Sequence, residues 1–155
     1  MIRAALIAGL WLVSGAAVAA KAKPPSPNKI YDRDCSVCHQ ANGAGMAGAF
    51  PKLSGRAAAL AALASGRDLL VSTILYGMAG KLETDGHAIL GVMPGFAPLK
   101  DAEVAAVLNF LASLGAGNAK KFTAKEVAAI RARPPLTPTQ VNQMARDPAL
   151  QAAQQ

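Results

Sequence analysis

Cys35-Ser36-Val37-Cys38-His39 is the stretch on which the reading of this chain turns. Two cysteines with two residues between them, and a histidine directly after the second, form the pattern of a c-type haem attachment site. One turn of helix puts both thiols on one side, for thioether bonds to the two haem vinyl groups, and the next residue offers its imidazole to the iron from the same face. Other chemistries fit less well. Zinc takes four ligands, and outside this pentapeptide the chain has no cysteine and a single histidine, His87. A thioredoxin-like redox pair belongs in a strand-helix-strand context, and no such alternation is visible. A Cys35–Cys38 disulfide would close a very small loop and stabilise little. The pattern predicts one covalent haem c with His39 as an iron ligand.

Upstream, Arg3 precedes an apolar run from Ala4 to Val13, and Ala17-Val18-Ala19-Ala20 supplies small residues for cleavage. Residues 1–20 read as a secretory signal peptide, with an uncleaved membrane anchor as the alternative. A chain with such a leader is expected to be exported, in a bacterium to the periplasm. Without those residues the chain keeps fifteen basic and nine acidic side chains, a net of +6, and loses its only tryptophan, Trp11. A basic balance can indicate nucleic acid, but an exported chain argues against that partner. From Lys120 onward six basic residues face two acids, so most of the excess lies in the tail.

The remaining pattern is mainly helical. Residues 21–27 form a Pro- and Lys-rich lead-in. Ser26 and Pro27 suit the start of a helix running through Ile30 and Tyr31 into Cys35, with Tyr31 in the core against the last helix of the domain. Three glycines between Gly43 and Gly48 exclude a stable helix and allow backbone to lie close to a flat ligand. A short helix is expected over 57–64, broken by Gly66, and another over 69–76, capped by Asp68 and stopped by Gly77. Asp85-Gly86 signals a two-residue turn between short strands within 81–90, and 91–96 reads as a loop. Val104, Val107, Leu108, Leu111 and Leu114 recur at helical spacing, closed by Gly115. Thr123-x-x-Glu126 is a capping box for a shorter helix stopped by Pro134-Pro135. Thr137 to Gln140 starts a last marginal helix, and 149–155 is expected to fray. The domain is therefore set at 28–115, with 116–155 as a basic, partly helical C-terminal extension.

The iron's opposite axial position has five candidates, Met46, Met78, Met93, Met144 and His87. Met46 lies on the loop leading away from the His39 face, Met144 lies past the domain, Met78 follows a helix stop, and His87 flanks the hairpin turn. Met93 has the most suitable context, because Pro94 stiffens the loop behind it. A neutral thioether opposite imidazole favours ferrous iron and raises the reduction potential.

Taken together, Cys35 to His39, then Phe50-Pro51-Lys52-Leu53-Ser54-Gly55, then Gly91-Val92-Met93-Pro94-Gly95-Phe96 and a terminal amphipathic helix resemble class I c-type cytochromes. More narrowly, the chain resembles the bacterial single-haem group with a hairpin before the methionine, over about residues 30–114. The resemblance implies an all-α fold around one covalent haem with a minor β-hairpin. It also implies that the Pro51 carbonyl accepts the free N–H of His39, fixing the ring and raising its basicity. Departures are Lys100, where relatives usually have a serine cap, and Arg67 before the middle helix. Residues 123–131 resemble a segment that some relatives carry. For the haem propionates, Arg56, Tyr76 and backbone amides are the candidate partners.

Two functions follow. A saturated His39/Met93 iron would make a single-electron carrier rather than an enzyme, working free or as a subunit beside a periplasmic dehydrogenase or terminal oxidase, in association with a membrane complex. An exchangeable sixth position would make a gas-binding or peroxidase-like protein. The loops 43–48 and 92–96 are expected to frame the haem edge, with Lys52, Lys81 and Lys100 steering an acidic redox partner.

Overall fold

The first helix starts where Pro27 can take the first helical position and ends one residue before the first cysteine: α1 spans Pro27–Asp34. Ser26 is its N-cap, although the hydroxyl makes no capping bond. The structure is a computed structural model and describes residues 26–153. The expected signal peptide at 1–20 and most of the lead-in at 21–27 lie outside the described residues. The helix does not run through the first cysteine. Cys35, at φ −121° and ψ −36°, separates α1 from the single turn α2, Ser36–His39.

Tyr31 shows why this first helix matters. Its ring is fully buried, with its centroid 5.3 Å from that of Phe110, on α5 (Asp101–Ser113). Its hydroxyl donates to the Gln40 carbonyl at 2.6 Å and accepts the Gly43 N–H at 2.9 Å. The expected core residue therefore also pins the loop that follows His39. Tyr31→Phe keeps the ring and removes both bonds of the hydroxyl, while the Gly43 N–H keeps its 3.3 Å bond to the Gln40 carbonyl, so a loss of about 0.5–1.5 kcal/mol is expected. Urea unfolding is the check, and an unchanged midpoint would show that the hydroxyl contributes nothing.

Two of the glycines of that loop have a reason within the chain itself. Gly43 and Gly45 both have φ +68°, and a Cβ on Gly45 would lie 2.6 Å from the backbone nitrogen of Lys52. At these two positions the loop folds against its own continuation.

Gly66 is a second correction. It does not break a helix but lies inside one, α4, Ala64–Tyr76, which follows α3, Arg56–Ala61. A Cβ at Gly66 would sit 2.2 Å from the Leu60 carbonyl oxygen, so glycine there permits the close approach of α3 and α4. Asp68 is not a cap and instead pairs with Arg133 at 2.7 Å. Gly77, at φ +79°, ends the helix as expected.

Asp85 and Gly86 take φ of 51° and 73°, the double positive φ of a type I′ turn. They join β1, Met78–Thr84, to β2, His87–Met93, in an antiparallel pair with Thr84 opposite His87 and Met78 opposite Met93. The strands are longer than expected, so Gly91 to Met93 belongs to β2 and the loop begins at Pro94.

The tail folds back on the rest. α6, Ala124–Arg131, places Val127 and Ile130 in the main apolar cluster with Tyr31, Val71, Val104 and Leu108. Thr123 caps it, while the Glu126 carboxylate turns to Arg67 at 2.7 Å and is held below the usual carboxylate range by that bond. Arg67 also stacks 3.8 Å from the Phe122 ring centroid and donates to the Lys120 carbonyl at 2.6 Å. α7, Pro138–Met144, has a full capping box between Thr137 and Gln140. α8, Pro148–Ala152, stands in place of the expected fraying at residues 149–152, because Leu150 is buried with Val141, Leu60 and Leu69 in a second cluster; residues 154–155 lie outside the described residues.

Candidate haem-binding site

Between α2, the α3–α4 pair and the hairpin lies an apolar cleft of about 950 Å³, its open mouth included. Cys38, His39, Pro51, Arg56, Met93 and Pro94 line it, against a wall that includes Leu69, Leu70 and Ile89. Cys35 is not among the lining residues. It lies half-buried against the main cluster, and burial pushes its thiol up to about 11.

His39 is the best-defined member. Only 6% of it is exposed, and burial lowers its pKa. Its Nδ1 lies 3.0 Å from the Pro51 carbonyl oxygen. A carbonyl can only accept, so Nδ1 carries the proton and Nε2 keeps its lone pair. The bond connects α2 to the far end of the glycine loop, whose shape is fixed in turn by the Tyr31 hydroxyl. A neutral imidazole with one nitrogen occupied and the other available is the form that binds iron.

The structure separates the five candidate sixth ligands by location. Met46 is 51% exposed on the outer loop and shares a different hollow with His87. Met144 packs against the Val141 cluster. Met78 and Met93, cross-strand partners at the open end of the hairpin, both line the cleft. Sequence reasoning set Met78 aside as a residue after a helix stop, since the register that brings it opposite Met93 follows only from the length of the strands. The two differ in packing: Met78 leans on the second apolar cluster, which Met93 does not join. Behind Met93 the chain is tightly held, as a Cβ at Gly77 would come within 2.4 Å of the Met93 carbonyl.

Arg56, whose side chain is 9% exposed, is not the surface residue its type suggests. It donates to the Lys52 carbonyl at 2.8 Å and pairs with Asp85 at 3.0 Å, tying α3 to the hairpin turn. Of the three lysines expected to frame the site, Lys81 pairs with Glu83 on the hairpin itself.

An apolar cleft with an available imidazole nitrogen and a cysteine thiol on one wall, and thioethers on the hairpin, fits a haem held at its edge and by its iron. Comparison with known proteins agrees. The family model described as cytochrome c matches residues 28–115. Two proteins named cytochrome c-552, both from Thermus thermophilus, are each 49% identical over 119 residues. The matches cover 73% of this chain in both cases, and 88% and 78% of the respective relatives. Proteins of this family carry one covalent haem c with its iron and transfer electrons, as does this chain, which belongs to the cytochrome c family as a class I c-type cytochrome.

Proposed function

We propose that the protein is a periplasmic single-electron carrier whose iron is held by His39 and Met93, with Cys35 and Cys38 as the attachment thiols. The observation that carries this reading is that His39, oriented by the Pro51 carbonyl, and Met93, at the end of β2, line the same cleft. Haem c, when bound, supplies an iron that takes up and returns one electron. The protein's contribution is to hold that site still and dry. Pro51 fixes the His39 ring and increases its basicity. Leu69, Leu70 and Ile89 give the cleft an apolar wall against which a haem would be shielded from water. Met93 is favoured over Met78 because Met78 already packs in an apolar cluster and Met93 stands before the rigid Pro94. Arg56 supplies a cation at the cleft wall for a haem propionate, sharing it with Asp85. Two axial side chains leave no position for substrate, which suits a carrier rather than an enzyme.

No helix among the described residues is long and apolar enough to cross a membrane. The apolar run before Lys21 supports export. The partners suited to such a site are redox proteins such as a dehydrogenase or terminal oxidase, met freely or within a membrane complex. The visible spectrum of the oxidised protein is the test. A low-spin spectrum with a sulfur-to-iron charge-transfer band is expected. A high-spin spectrum, with rapid carbon monoxide binding after reduction, would overturn the carrier in favour of a gas-binding or peroxidase-like protein.

A further inference from the structure

Asn142 is 2% exposed, one of four buried polar side chains among the described residues, and nothing in the electron-carrier reading uses it. It stands on α7, whose neighbouring Val141 is anchored between Leu60, Leu69 and Leu150. Its Nδ2 donates to the Lys81 carbonyl at 3.1 Å, and its Oδ1 accepts from Arg146 Nη2 at 3.3 Å. Gly80, at φ +127°, lies directly beneath: a Cβ there would be 3.1 Å from Asn142 Oδ1. The amide is thus fitted to one point on β1.

The hairpin register gives that point its significance. A two-residue turn makes Thr84 and His87 a hydrogen-bonded pair, and the alternation of an antiparallel ladder makes Lys81 and Leu90 a non-bonded one. The Lys81 carbonyl therefore points away from β2, along the open edge of the hairpin. Asn142 supplies its donor, and α7 covers the edge. By the same alternation Gly80–Gly91 and Met78–Met93 are bonded pairs, so the position of β1 at residues 80–81 is transmitted through the ladder to Met93.

We propose that Asn142 is a positioning residue for the axial methionine: by fixing the β1 edge from α7, it holds the hairpin that carries Met93 over the cleft. The proposal rests on the reading of Met93 as the sixth ligand, and assigns the C-terminal extension a part in setting the iron site. The test uses the haem-loaded full chain. In Asn142→Leu and Asn142→Asp the Lys81 carbonyl loses its donor. Each is expected to weaken the sulfur-to-iron band, lower the reduction potential and raise the affinity of the ferric protein for added imidazole about tenfold, the factor set by the loss of one hydrogen bond at the β1 edge. Ile130→Ala, in the main cluster on α6, is the control, because it lowers thermal stability without touching the hairpin. A purely structural role for Asn142 would make its variants behave like Ile130→Ala, with a lower melting temperature but an unchanged band, potential and imidazole affinity, and would overturn the proposal. Should Asn142→Leu fail to load haem, Asn142→Asp, of the same shape, decides. Met93→Ala separates the two levels of argument. If it abolishes the band while the Asn142 variants leave it intact, the ligand reading stands and the positioning role falls. If Met93→Ala keeps the band, both fall.

Discussion

Replacing Cys35 and Cys38 together by alanine is expected to yield a polypeptide from which acid acetone removes all colour. Thioether bonds survive that extraction, whereas axial coordination by side chains does not. The two thiols are the only cysteines in the chain, so no other sulfhydryl can substitute. The effect is all-or-none for covalent attachment, and colour that stays with the double variant would refute the attachment site. Singly replaced proteins should retain partial attachment, with Cys38→Ala the more disturbed, because Cys38 lines the cleft and Cys35 lies behind it.

Met93→Ala is the second large effect. It should lower the reduction potential, because loss of the thioether withdraws the ligand that favours ferrous iron. The ferrous protein should then bind carbon monoxide, and the oxidised protein should lose its charge-transfer band. Met78→Ala is the informative comparison, since both residues line one cleft and are cross-strand partners. Met78 leans on the Val141 cluster, so its truncation should cost about 2 kcal/mol of stability, at the low end for a methionine only partly buried, and leave the spectrum unchanged. Loss of the low-spin spectrum in Met78→Ala, with the spectrum of Met93→Ala intact, would exchange the two assignments.

How much of this could be read in advance depended on how local each signal was. Cys35 to His39, the Asp85-Gly86 turn, the stop at Gly77 and the cap at Thr123 are each encoded within a few residues, and the structure contains them at those positions. Gly66 misled because its reason is a carbonyl on another helix: propensity alone makes glycine a breaker, while interhelical contact makes it necessary. Leu150 misled in the same way, since its short segment is stable only by burial against α3 and α4. The basic residues after Lys120 are partly turned inward: Arg131 reaches back to Asp101 and to the carbonyls of Ala97 and Leu99, and Arg133 reaches Asp68. No count of charges could have assigned those partners. The cleft residues followed the same division: His39 and Pro51 were legible from the motifs, while Leu69, Leu70 and Ile89 became its walls only through the packing of distant elements.

The contact between Tyr31 and Phe110 joins nearly the two ends of the family-matched segment, and that has a consequence for the order of folding events. Bringing such distant residues together costs roughly 4 kcal/mol of loop-closure entropy, whereas the turn at Cys35 to His39 needs only its own neighbours. Local structure at Cys35 to His39 is therefore expected to form before α1 docks on α5. In the folded chain Cys35 is half-buried against the main cluster, so attachment at its sulfur is expected to be fastest before that long-range closure. Faster thioether formation in a Phe110→Ala variant, whose closure is weakened, is the result that would bear this out.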